Sequence, residues 1–152
     1  LTPEVTTLTK TAAGLTIASY NVLNLDPKLE DVNRVSGNTP AQRQSNVDDD
    51  TARFTAIAQQ IVNNLLSPDV LGLQEVQDND GAELSDVTAA NETLQKLIDA
   101  IVAAGGPTYR FIDNTFIGDD ASGGQPGGNI RTAFLYNPDR VSLVDGSVRT
   151  IG

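Results

Sequence analysis

The chain has 152 residues, 20 acidic against 10 basic side chains, a net charge of −10, and neither cysteine nor histidine. The charge excludes a protein that wraps nucleic acid on a broad basic surface. The two missing residue types exclude a disulfide framework, a thiolate nucleophile, zinc–thiolate binding and imidazole acid–base catalysis, so any metal is hard and oxygen-bound: Mg²⁺, Mn²⁺ or Ca²⁺.

The length suits one domain with a real core. No apolar run reaches the roughly 18 residues of a membrane span. The opening LTPEVTTLTK lacks the basic start and apolar stretch of a secretion signal, so any leader lies upstream. Residues 1–13 are Thr-rich and read as a linker or lead-in, and residues 14–152 as the domain. Leu15 to Val22 (LTIASYNV) reads as a strand, stopped by the turn-formers Asn21, Asn24, Asp26 and Pro27. Residues 26–50 carry no apolar period and read as a long loop. Asp48, Asp49 and Asp50 at its end read as a helix cap in preference to a calcium site, because their spacing does not match an EF-hand.

From Thr51 to Leu66, Phe54, Ile57, Ala58, Ile61, Val62, Leu65 and Leu66 form one helical stripe, ended by Ser67-Pro68. The apolar run Val70, Leu71, Leu73 then predicts a strand over 69–74, buried on both faces. Strand, helix and strand in succession predict two parallel neighbours, with Asn21 and Glu75 at matching ends. An acidic loop covers 78–88. A second helix spans about 91–104 on Leu94, Leu97, Ile98, Ile101 and Val102, stopped by Gly105-Gly106-Pro107. A short strand at 109–112, a glycine-rich loop at 118–128, and strands at 131–136 and 140–148 joined by an Asn137-Pro138-Asp139 hairpin turn complete the chain.

No nucleophile elbow, P-loop or dinucleotide fingerprint is present. What remains is Asn21 after one strand, Glu75 after its neighbour and Arg131 opening a third. A carboxylate holds a hard cation, an amide orients phosphate or water, and a guanidinium offers phosphate a fork of donors. Each also has an ordinary role. Asn21 suits a turn, Arg131 a surface ion pair, and Glu75 a capped strand end.

LTIASYNVLNL, PDVLGLQEVQDNDG and GGNIRTAFLYNPDRVSLV resemble the first three blocks of the endonuclease/exonuclease/phosphatase superfamily, and in particular its bacterial secreted, deoxyribonuclease-like branch. The resemblance implies an α/β fold, half of a four-layer sandwich: a mixed sheet with two flanking helices, its second half missing from this chain. It implies that Asn21 sits in the active site and that Glu75 binds catalytic Mg²⁺. More loosely, it brings Arg131 to a phosphate. Some relatives carry an acidic residue two positions after the first-block asparagine, where this chain has Leu23. Relatives also continue into blocks holding a histidine, an Asp-x-Asn pair and a terminal Asp-His pair, and this chain has no histidine.

These features lead to several expectations. The chain is the N-terminal portion of a Mg²⁺-dependent phosphodiesterase acting on nucleic acid or another phosphodiester, secreted from a bacterium and inactive alone. Its uncovered sheet face pairs with the missing half or with another copy. The alternatives are a phosphatase or lipid phosphodiesterase of the same superfamily, or a non-catalytic binding domain on the same scaffold.

Overall fold

The computed structural model describes residues 4–149. Seven elements follow one another: β1 (Ile17–Leu25), α1 (Pro40–Gln44), α2 (Thr51–Asn63), β2 (Val70–Val76), α3 (Asn91–Ala103), β3 (Arg110–Ile112) and β4 (Arg131–Tyr136). The strands form one mixed sheet in the order β1-β2-β4-β3. β1 and β2 are parallel, as the strand–helix–strand order predicts, while β4 is antiparallel to both β2 and β3. This is the expected α/β class.

The helices cover one face of the sheet. Phe54, Ile57, Ala58 and Ile61 of α2 and Leu94, Leu97, Ile98 and Ile101 of α3 pack on Leu71 and Leu73 of β2 and Ala133 and Leu135 of β4. Each such leucine, isoleucine or phenylalanine side chain stabilises the fold by about 1.5–3 kcal/mol through burial. The α3 stop is the expected one. Gly105 sits at φ +89°, its N–H donates to Val102 O, and the Gly106 N–H donates to Ile101 O. That pair of bonds satisfies the last carbonyls of the helix at a position glycine adopts without steric cost. None of the helices among the described residues is long and apolar enough to cross a membrane.

The opposite face is open. Ile17 is 65% exposed and Phe134 48% exposed. β2 is therefore buried on one face only, with Val70, Gly72 and Gln74 half-buried on the other, where the unbroken apolar run predicts burial on both.

Four further expectations change. The long loop contains α1, a single turn started by a capping box between Thr39 and Gln42 with Pro40 at its first position. It buries nothing, so no apolar period marks it. The α2 helix ends at Asn63, because Leu66 and Ser67 turn left-handed ahead of Pro68. Asp50 stands at the α2 N-cap without a side-chain cap bond. Its carboxylate instead accepts the Asp26 N–H at 3.1 Å and pairs with Arg53, while Asp49 takes the Thr51 N–H at 3.0 Å. Finally, 140–148 is not a strand. The chain turns at Asn137, whose O accepts the N–H groups of Arg140 and Val141, and then runs on without regular structure. Both edges of β4 are already paired, with β2 and with β3, so a hairpin partner has no ladder left to join.

Candidate active site

β1 and β2 lose their regular pairing at the same level. Asn21 faces Gln74 and Leu25 faces Val76, so Val22, Leu23 and Asn24 stand opposite Glu75 alone. On the other side of β2, Gln74 and Glu75 stand opposite Thr132, between the pairs Leu73–Ala133 and Val76–Arg131. Glu75 itself has φ +58°, and Leu23 and Asn24 have φ +58° and +54°. A left-handed conformation costs an L-residue about 1–2 kcal/mol, and such residues gather where a bulge re-aims a side chain.

Re-aiming is what the bulge achieves here. In a regular strand Gln74 and Glu75 point to opposite faces. Here Gln74 Nε2 donates to Ser19 Oγ at 2.7 Å on the open face, and Glu75 Oε1 accepts from Asn21 Nδ2 at 2.7 Å beside it. Val76 then returns to the core. Asn21 Oδ1 takes the Leu23 N–H at 2.8 Å, which holds the amide with its Nδ2 directed at the carboxylate. The parallel-strand expectation for Asn21 and Glu75 is thus met in space.

Arg131 borders the same place. A shallow depression of about 360 Å³ is lined by Gln74, Glu75, Asn114, Ile130, Arg131 and Thr132, among others. A second, of about 470 Å³, shares Asn114 and Thr132 and extends past Phe134. The Arg131 guanidinium is nevertheless turned inward. The residue is 4% exposed, Nε donates to Asn129 O at 3.1 Å, and Nη1 pairs with Asp113 at 3.3 Å. Its Nη2 is buried and has no hydrogen-bond partner. The structure therefore joins Asn21 to Glu75 and sets Arg131 on the rim of their depression, engaged with Asp113.

Ser19, Asn114 and Thr132 carry no signal in the sequence, and Gln74 stands out only as the partner of Glu75 in the Gln-Glu pair that closes β2. Gln74 and Ser19 are legible only once the register of β1 on β2 is known. Asp78, just beyond the strand, supports the site from below. It accepts from Asn129 Nδ2 at 3.0 Å and from the Asp80 N–H at 3.0 Å, and its carbonyl accepts from Thr93 Oγ1. Burial raises its carboxyl to about 7 against the lowering effect of Asn129. It ties the end of β2 to α3 and to the glycine-rich loop that precedes Arg131.

The Glu75 carboxylate is half-buried and takes one donor, Asn21. A single carboxylate open to solvent on one side fits Mg²⁺, which binds through one or two carboxylates, keeps several waters and takes oxygen from substrate phosphate. The donors on hand (carboxylate, amide and hydroxyl) are all hard and suit no softer metal.

Comparison with curated proteins returned no match, and comparison with solved structures returned none. The profile of the Endonuclease/Exonuclease/phosphatase family matches residues 18–150. That span contains the whole sheet from Ala18 onward and the Asn21–Glu75 contact, so the chain belongs to the endonuclease/exonuclease/phosphatase family, whose members are hydrolases of phosphoesters.

Proposed function

We propose that the chain is the metal-holding part of a Mg²⁺-dependent phosphodiesterase, a nuclease of the secreted bacterial kind. The observation that supports it most is the left-handed bulge that sets Glu75 beside Asn21 on the open face. In this reading Glu75 holds the cation, and Asn21 orients the scissile phosphate or the attacking water. When bound, the metal stabilises the charge that gathers on the phosphoryl oxygens. Thr132 and Gln74 line the approach, and Arg131, held by Asp113, stands at its rim with one unpartnered guanidinium nitrogen. Water activation and leaving-group protonation fall to residues outside this chain, which has no histidine, so the chain alone is inactive. The acidic surface suits an enzyme that meets nucleic acid through a local cation at high divalent concentration.

The test is metal removal in the catalytically complete enzyme. Chelation abolishes hydrolysis of a phosphodiester, and Mg²⁺ restores it. Full activity in excess chelator overturns the reading. A phosphate monoester or a phospholipid tested beside DNA and RNA decides among the substrate classes of the family. Asn21→Ala lowers kcat by about 100-fold, while its melting temperature stays close to wild type, because Asn21 is exposed and its two bonds are at the surface. The lack of histidine favours a second reading, a binding domain that keeps the scaffold without catalysis. Phosphodiester binding with no turnover in the complete protein identifies it.

The open face is, in this proposal, the seat of the domain's other half. Ile17, Phe134 and the neighbouring Phe116 are exposed there. The isolated chain is expected to bind a hydrophobic dye and to self-associate in sedimentation, and Ile17→Ser with Phe134→Ser to suppress both. A monomeric, dye-silent chain removes this part of the proposal.

A further inference from the structure

We propose that Asp26, Glu30 and Asp48 form a Ca²⁺ site that closes the two ends of the loop between β1 and α2 on each other, beside the turn that follows β2. Each residue offers a carboxylate oxygen, and the three oxygens lie within 4.8 Å of one another. Two of the three residues are interior. Asp26 is 0% exposed and Glu30 4% exposed.

The cluster also has an unmet polar demand. Asp26 Oδ1 accepts the Lys28 N–H at 3.1 Å, but Oδ2 is buried and has no hydrogen-bond partner. A desolvated carboxylate oxygen with nothing to bond is costly. Among the described residues, no lysine or arginine pairs with Asp26 or Glu30. The neighbouring cation, Arg53, is taken by Asp48 and Asp50.

The surrounding backbone is arranged to hold the carboxylates in place. Glu30 Oε2 accepts the Asp48 N–H at 3.0 Å, and Oε1 accepts the Ala82 N–H at 3.3 Å. Gly81, at φ +63°, lets the turn after β2 press against the cluster. A Cβ there would lie 2.7 Å from Asp26 Cγ and 2.8 Å from Glu30 Oε1. The two ends of one loop thus bring three carboxylates together against the turn after β2, and among the described residues only Asp48 of the three has a basic side-chain partner, Arg53. Oxygen-only donors carried on irregular backbone suit Ca²⁺, which accepts six to eight ligands in flexible geometry, better than Mg²⁺, which demands a near-ideal octahedron. The site shares no residue with the Glu75 site. Its role is to fix the chain immediately after β1, where the bulge that carries Asn21 ends.

Equilibrium dialysis of chelator-treated protein against radiolabelled Ca²⁺, with calorimetry, tests this. The 152-residue chain is expected to retain Ca²⁺ at micromolar to millimolar concentration and to melt at a higher temperature with it. Glu75→Gln keeps this binding. The isosteric pair Asp26→Asn with Glu30→Gln weakens it at least about tenfold, shows no Ca²⁺-dependent rise in melting temperature, and in chelator melts above the wild type because the repulsion is gone. Asp48→Asn, at an exposed position, weakens binding in the same sense should the double variant fold poorly. No retained Ca²⁺, or retention unchanged in both the double variant and Asp48→Asn, or loss in Glu75→Gln alone, overturns the proposal.

Discussion

Glu75→Gln, Glu75→Ala and Glu75→Gly are each expected to lower phosphodiester turnover of the complete enzyme by about 10²–10³-fold, while their stabilities diverge. Gln keeps an oxygen for the Asn21 amide and stays close to wild type. Ala removes that contact but leaves a Cβ at φ +58°. Gly removes the contact and relieves the left-handed conformation, so it is more stable than Ala by about 1 kcal/mol. Chemical denaturation beside steady-state kinetics reads both effects. Wild-type turnover in Glu75→Gln means that Glu75 is not the metal ligand. Equal stability of the Gly and Ala variants means that the bulge stores no strain. The series separates a carboxylate held in a costly conformation for its chemistry from one that merely ends a strand.

How far the sequence reaches follows from which interactions are local. The helices and the β1–β2 pair are legible because a buried stripe has a period, and Phe54 to Ile61 and Leu94 to Ile101 repeat at that period. Asn21 and Glu75 are legible because parallel neighbours end at the same level. The bulge that lets Gln74 and Glu75 share a face is not, since it is a matter of register with Thr132, far along the chain. The Asp26–Glu30–Asp48 group is hidden for the same reason. Asp48 reads locally as part of a helix cap, and only tertiary structure sets it against Glu30. Arg131 is ambiguous in sequence, because its inward pairing depends on Asp113 across β3 and β4. Arg140 looks like a strand start until the sheet order shows that β4 has no free edge.

Arg140 leads to the largest expected loss of stability. Asp69, fully buried at the start of β2, gathers the Thr16 N–H at 2.8 Å, the Thr16 hydroxyl at 3.0 Å, Arg140 Nε at 3.1 Å and Lys10 Nζ at 3.4 Å. Arg140 in turn donates to the carbonyls of Thr11, Ala12 and Gly14. One carboxylate therefore ties the lead-in segment, the start of β1 and the chain after β4 to the central strand. Burial alone raises its carboxyl, but the Thr16 N–H, Arg140 and the Thr16 hydroxyl outweigh that and hold it well below the usual carboxylate range. Asp69→Asn removes the charge and leaves two cations facing an amide, a loss of about 2–4 kcal/mol, or a melting temperature lower by roughly 5–15 °C for a chain of this size. The loss also depends on pH in a fixed direction. A carboxyl whose folded pKa is lowered contributes its full stability above the unfolded value of about 4 and loses it as pH falls toward the folded value. The gap between wild type and Asp69→Asn is therefore widest at neutral pH and narrows below about pH 4. Asp69 lies at the end of β2 opposite Glu75, so kcat of the complete enzyme carrying Asp69→Asn, measured below the melting transition, is unchanged. A gap that stays constant from pH 7 to about pH 3 shows that the charge on Asp69 contributes nothing, and that its hydrogen bonds alone hold the three segments together.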